Sequence, residues 1–371
     1  MKKELLINGD NSFQRIIERI RETKNSLYMQ MFIWRDDKIG NDMARELLDA
    51  ADRGVKIKIV KDEVGSIFEK TEEGKQSFFH KKFNPGLLVQ MKVMGLLYFQ
   101  HVNHIDGKQK PNTYSERMLA HPNIEIDSSI RNDHTKFYIF DDEILIAGGV
   151  NIEDKELYLD YKQNKWCDYM IEIIDKDIVK YFLQKLDRPE TQSPDASVDF
   201  YFNFNDRNVY QVKPKLFELL DEAQHSIIIE MAYFGDPDVT RKIIECINRG
   251  VKVSILTSLE ANIQNSINHH VLNQISKATQ GKVEIFLSDR VVHSKLVCVD
   301  DKKLFFGSAN YNKKGMVQLS ELNIYFEADE EMLQIWQTWR KQHIEEECRP
   351  YPGHDKDQYS KILALAESVF C

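Results

Sequence analysis

Two histidines, two lysines and two asparagines recur in this chain at one spacing. The first set runs His134-Thr-Lys136-Phe-Tyr-Ile-Phe-Asp141, then Gly148-Gly149-Val-Asn151. The second runs His293-Ser-Lys295-Leu-Val-Cys-Val-Asp300, then Gly307-Ser308-Ala-Asn310. In each set 17 positions separate His from Asn, and 7 separate Asp from the first Gly. A lone His-x-Lys arises often by chance, but two matched sets do not. These residue types suit cleavage of a phosphodiester. A neutral histidine can attack phosphorus, and a charged one can protonate the leaving alkoxide. Lys136 and Lys295 would neutralise the phosphate, while Asn151 and Asn310 would donate amide hydrogen bonds to its oxygens. The small residues before each Asn let backbone approach closely.

A working histidine also needs a partner that fixes its tautomer and orientation. Asp168, in Trp166-Cys-Asp168-Tyr, and Glu321, in Ser320-Glu321-Leu-Asn323, each open a short apolar run, 34 and 28 positions after the respective histidines. They are the expected orienting carboxylates. Asp141 and Asp300 follow apolar strands and are read as turn residues rather than catalytic acids. His101 and His104, followed by Asp106, are read as loop polar residues and not as a metal pair. The sequence leads us to expect neither a metal nor a cofactor.

The elements that must position these residues also repeat. In the first half, helices are expected over Phe13–Lys24 and Asn41–Arg53, with strands over Ser26–Trp34 and Val55–Val60. In the second, helices are expected over Leu216–Gln224 and Val239–Arg249, with strands over Ser226–Tyr233 and Val251–Leu256. Gly54 and Gly250 stop the second helix of each half, and Gly-Val-Lys follows at both places. Alternating helices and short apolar strands predict an α/β fold. Its two similar halves would each be a mixed, mostly parallel sheet flanked by helices, related by a pseudo-two-fold axis with the site between them. The expected division is 1–187 for the first half, 188–212 for a linker and the first strand beyond it, and 213–371 for the second half. The stretch Arg188–Ser197 (RPETQSPDAS) carries the linker composition.

From Gly54 to His134 is 80 positions, but from Gly250 to His293 only 43, so the first half carries an insert, placed at about 66–121. It includes the apolar run Leu87–Phe99, expected to be a helix buried against its domain, with a substrate-facing or membrane-facing insert beside the cleft as the second reading. Beyond the repeat, Glu330–Glu347 reads as an amphipathic helix packing Met332, Leu333, Trp336 and Trp339 on the second half. A last helix is expected from Gln358 to Phe370.

At 371 residues, 42% hydrophobic and 29% charged, the chain can form two ordinary cores. A net charge of −9 speaks against broad electrostatic capture of nucleic acid, though not against a locally basic cleft. Five irregularly spaced cysteines suggest reduced thiols. The amino terminus lacks the features of a signal peptide, and no apolar stretch reaches the ~20 residues of a membrane span. A cytoplasmic protein is expected, with peripheral membrane association as an option.

The duplicated His-x-Lys-x4-Asp and Gly-[Gly/Ser]-x-Asn sets resemble the phospholipase D superfamily, over roughly residues 12 to 330. Gly148-Gly149-Val-Asn151-Ile-Glu-Asp, Trp166-Cys-Asp168 and Gly307-Ser308-Ala-Asn310 with Glu321-Leu-Asn323 are most similar to its cardiolipin synthase branch. The resemblance implies a phosphohistidine intermediate, metal-independent chemistry and a phospholipid substrate. It makes His134 the nucleophile and His293 the general acid, which then activates an alcohol or water. The chain departs from the branch after Asn310, where Tyr311-Asn312-Lys313-Lys314-Gly315 replaces the usual x-Asp-x-Arg-Ser. A nuclease or nucleotide phosphodiesterase using the same residues is the runner-up. The sequence leaves the headgroup, the acceptor and the oligomeric state open.

Overall fold

A computed structural model describes residues 1–71, 77–79, 112–157, 166–353 and 359–370. The run Leu87–Phe99 lies outside the described residues, as do His80, His101, His104 and His354.

The first half is built on β1 (Lys2–Ile7), β2 (Ser26–Met31), β3 (Lys56–Asp62), β4 (Ile124–Ser129), β5 (Phe137–Phe140), β6 (Ile144–Gly148), the short β7 (Trp166–Cys167) and β8 (Tyr169–Ile174). The second continues with β9 (Val198–Phe204), β10 (Val209–Tyr210), β11 (Ser226–Met231), β12 (Lys252–Ser258), β13 (Glu284–Ser288), the short β14 (Val291–Val292), β15 (Lys295–Val299), β16 (Lys303–Gly307), β17 (Glu321–Glu327) and β18 (Cys348–Pro350). The first sheet runs β1-β8-β6-β5-β2-β3-β4 and the second β10-β9-β17-β16-β15-β11-β12-β13-β18. Seven consecutive strands therefore match one for one, with β10 and β18 added at the edges of the second sheet. The segment 188–212 contains β9 and β10, both members of the second sheet.

The two similar halves of mixed sheet are as expected, but the parallel share is smaller. Only β2-β3-β4 and β11-β12-β13 pair parallel, and every other neighbour in the two sheets is antiparallel. The cause is local. Asp141 and Asp142 (φ 51° and 55°) and Asp300 and Asp301 (φ 51° and 49°) form tight left-handed turns. Such turns fold β5 back on β6 and β15 on β16, whereas a parallel neighbour needs a long crossover. The Asp141 carboxylate accepts the backbone N–H groups of Lys24, Asn25 and Ser26. Asp300 accepts those of Gln224, His225 and Ser226. Both aspartates thus pin the start of the neighbouring strand, a structural role.

Each sheet buries one face under its own helices and the other against its counterpart. Helices Asn8–Glu22 and Lys38–Asp52 cover β2 and β3 through Phe13, Ile16, Met43 and Leu47. Helices Val212–Glu222, Pro237–Asn248 and Asn265–Ala278 cover β11 and β12 through Leu216, Ile243 and Leu272. A third core joins the sheets, combining Phe137, Ile139 and Leu145 with Phe200, Leu296 and Phe306. Helix Glu330–Glu347 seals that junction instead of packing on the second half alone. Its Trp336 is fully buried, and the indole N–H donates to the Tyr169 hydroxyl of the first half at 3.2 Å. No described helix is long and apolar enough to cross a membrane.

Candidate active site

The two halves meet along two short parallel pairings related by the repeat. Asp133 bridges to Ser320, and β14 pairs with β7. These seams pin the histidines. The His134 N–H donates to the Ser320 carbonyl at 2.8 Å, and the His293 N–H to the Cys167 carbonyl at 2.9 Å. Two residues on, Lys136 and Lys295 stand at the mouths of β5 and β15, where each side chain is wholly buried. The Lys136 ammonium turns back to the His134 carbonyl at 2.6 Å, and Lys295 does the same with His293. Asn151 and Asn310 follow β6 and β16 by three residues and are buried too. The Asn151 Oδ1 accepts the Ile33 N–H at 3.3 Å, which leaves its amide N–H groups as donors.

The orienting carboxylates cross between halves. His134 Nδ1 lies 3.1 Å from Glu321 Oε2, and His293 Nδ1 lies 2.8 Å from Asp168 Oδ2. With Nδ1 engaged in this way, Nε2 of each ring is left for a substrate. Neither half could assemble a complete histidine–carboxylate pair by itself. Contacts and mutual charge effects tie His134, Lys136, Asn151, Asp168, His293, Lys295 and Glu321 into this one region, and Asn310 follows two residues after Ser308, whose carbonyl lies 3.1 Å from His134 Nδ1.

Burial dominates the electrostatics. It pulls both histidines toward the neutral form, with His293 held well below the usual imidazole range. The Lys136 and Lys295 charges add to that lowering at each ring, while Glu321 opposes it at His134. Lys136 itself is lowered to about 7, by burial first and then by Lys295. An anionic phosphate beside these groups would favour their protonated forms and restore the protons that burial removes.

Several neighbours make contacts that the sequence did not show, Ser308 and Gly149 among them although both are read there as small residues for close approach. The Ser308 hydroxyl donates to Glu321 Oε2, and the Ser308 carbonyl lies 3.1 Å from His134 Nδ1. At the equivalent Gly149, an added Cβ would sit 2.4 Å from both Asp168 carboxylate oxygens, so only glycine leaves room for that carboxylate. Phe32 meets the His134 ring edge-on at 4.7 Å, and Trp166 tilts over His293 at 4.6 Å. Glu156 is fully buried, with Oε1 3.6 Å from His293 Nδ1. Glu156, Asp168 and His293 each place a ligand-type atom within 4.8 Å of the others, a set that could hold a cation. The Lys295 ammonium, 3.5 Å from Asp168 Oδ2, already brings positive charge there.

Sequence and fold both connect this chain to known proteins. Residues 16–189 and 216–343 match the family described as "Cardiolipin synthase, PLD-like domain". The chain is 23% identical to a cardiolipin synthase of Listeria welshimeri over 87% of its own length and 64% of the relative's. It is 22% identical to the major cardiolipin synthase ClsA of Bacillus subtilis, again spanning 64% of that protein, and to cardiolipin synthase B of Shigella flexneri, spanning 76%. The chain thus spans a little under two thirds of the first two. The crystal structure of phosphatidylserine synthase from Haemophilus influenzae superimposes with a TM-score of 0.70 at 14% identity, covering 99% of this chain and 92% of that one. Polyphosphate kinase from Porphyromonas gingivalis matches with 0.56 at 11% identity, covering all of this chain and 52% of the other. At such identities the structural likeness speaks for the fold alone. The family match covers both halves and most of the sequence: the chain belongs to the family of cardiolipin synthase phospholipase D-like domains.

Proposed function

We propose that this protein cleaves phospholipid phosphodiesters, transferring or hydrolysing phosphatidyl groups in two displacements. The observation that carries this reading is the crossed pairing of His134 with Glu321 and His293 with Asp168, which leaves Nε2 of each ring for a substrate, with two buried lysines whose charges act on both rings. In the first displacement His134 Nε2 attacks phosphorus. The bond from phosphorus to the leaving alkoxide breaks, and His293 supplies the proton that alkoxide takes. In the second, an alcohol or water attacks the phosphohistidine, gives its proton to His293, and the P–N bond breaks. Lys136 and Lys295 neutralise the phosphoryl oxygens, and Asn151 and Asn310 donate hydrogen bonds to them. His293, held toward its neutral form by burial, would gain its proton with the anionic phosphate in place. That ties acid function to occupancy.

The phospholipid assignment is supported by the relatives, whose names are those of lipid synthases, and by the −9 net charge, which disfavours a nucleic-acid substrate. The same reading has the protein working at a membrane surface from the cytoplasmic side. The test is product analysis on phosphatidylglycerol vesicles with and without ethanol. Cardiolipin or phosphatidylethanol from the unmutated protein, and none from His134→Ala, is the expected result. Phosphatidic acid alone would make the protein a hydrolase. No lipid product, with cleavage of oligonucleotides instead, would overturn the lipid assignment.

A further inference from the structure

The repeat breaks at one buried position beside the site. Five residues after Asn151 stands Glu156, whereas five after Asn310 stands Gly315. A side chain at Gly315 would put its Cβ 2.5 Å from the Asn310 carbonyl oxygen, so the second half has no room for a counterpart. Glu156 ends a short helical turn, Asp154–Glu156, and its Oε1 accepts the Asn151 N–H at 3.2 Å. The same oxygen faces His293 Nδ1 at 3.6 Å. The charged and titratable groups around it are Asp168 and Glu153 from its own half, with His293 and Lys295 from the other. Glu153 is already held by Arg35 at 2.5 Å and Lys155 at 3.4 Å.

Two buried carboxyls this close do not both ionise readily. Asp168 has the stronger claim to the charge, because it takes the His293 Nδ1 at 2.8 Å, the Tyr169 N–H at 2.8 Å and the Lys295 ammonium at 3.5 Å. Burial, then the Asp168 charge, push the Glu156 carboxyl well above the usual range. The two histidines are consequently held in different ways. His134 has one carboxylate and the Ser308 carbonyl, whereas His293 has one carboxylate and a second carboxyl.

We propose that Glu156 is a positioning residue for His293. Its Oε1, fixed by the Asn151 N–H, stands 3.6 Å from Nδ1 and limits the ring's movement away from Asp168, the carboxylate that takes the Nδ1–H. This makes the two histidines of a duplicated site inequivalent in how their rings are held. The activity part of the test rests on the proposed phosphatidyl chemistry, but the resonance part does not.

The experiment follows the ¹⁵N imidazole resonances of His134 and His293 as pH is varied, assigned with His134→Gln and His293→Gln, in the full chain. Wild type is compared with Glu156→Gln and Glu156→Ala, and with Glu156→Met should the alanine protein fail to fold. The glutamine variant should leave the His293 titration where it was, because neutral replaces neutral. The alanine or methionine variant should move the His293 Nδ1 resonance and leave His134 unchanged. Its kcat should fall roughly five- to tenfold with KM unchanged, as the ring loses its fixed orientation, and the glutamine variant should recover it. A His293 titration that moves down by about a unit in Glu156→Gln would reveal a lost charge and overturn the neutral carboxyl. An unmoved His293 Nδ1 in the alanine and methionine variants would overturn the contact. The expected resonance pattern in a protein without lipid activity would support this assignment while defeating the functional reading.

Discussion

His134 and His293 occupy equivalent places in two matching half-sites, yet their surroundings differ. Around His134 are Glu321, the Ser308 hydroxyl and carbonyl, and the edge of Phe32. Around His293 are Asp168, Glu156 and the tilted face of Trp166. The longer carboxylate is steadied by serine and the shorter one closes over Gly149, so each half adapts the residue after its glycine to its carboxylate. A duplicated fold therefore supplies the shared parts of a two-histidine reaction. The departures from symmetry are where the two roles can separate.

The comparison breaks most severely if the crossing carboxylates are neutralised. Asp168→Asn and Glu321→Gln should each lower turnover by roughly 10²- to 10⁴-fold in steady-state assays, because the amide leaves the imidazole in the wrong tautomer. Near-normal rates in either variant would mean that its histidine needs no orienting charge. A smaller asymmetry is expected one shell out. Gly149→Ala should displace Asp168, whose oxygens lie 2.4 Å from the added Cβ, and lower kcat by more than about tenfold. Ser308→Ala removes one hydroxyl donor from Glu321, an effect of about fivefold. Equal losses at the two positions would contradict the different carboxylate settings.

The smallest effect concerns protons. Burial lowers Lys136 to about 7 and lowers both histidines as well. A bound anion raises all three, so inorganic phosphate or vanadate binding near pH 7.5 should take up protons. The Lys136 share of that uptake should vanish below about pH 6, where Lys136 is already charged, while the histidines, still neutral there, go on taking up protons. Calorimetry in buffers of different ionisation heat measures it, and proton release on binding would contradict the assigned charges.

The duplicated motif already named His134, Lys136, Asn151, His293, Lys295 and Asn310, and its arithmetic led to Asp168 and Glu321. It could not show that each carboxylate serves the opposite half, because spacing within one half carries no information about contacts across the junction. Glu156 escaped for the converse reason: it breaks the repeat, and a search for matched positions passes over it. The strand positions were legible from apolar runs such as VKIKIV and VKVSIL. Their direction was not, since such runs look alike in parallel and antiparallel sheets. The left-handed Asp141-Asp142 and Asp300-Asp301 turns settled that direction.

The most direct test of the central claim is to trap the covalent enzyme. The protein is mixed with phospholipid labelled in its phosphatidyl phosphorus, quenched in alkali, under which phosphohistidine survives, and the labelled peptide is identified in wild type, His134→Ala and His293→Ala. The account predicts label on His134 in wild type, none in His134→Ala, and label retained in His293→Ala when the substrate carries a good leaving group. Label on His293 with His134 replaced would reverse the assigned roles. Turnover with no labelled histidine in any of the three would contradict double displacement itself.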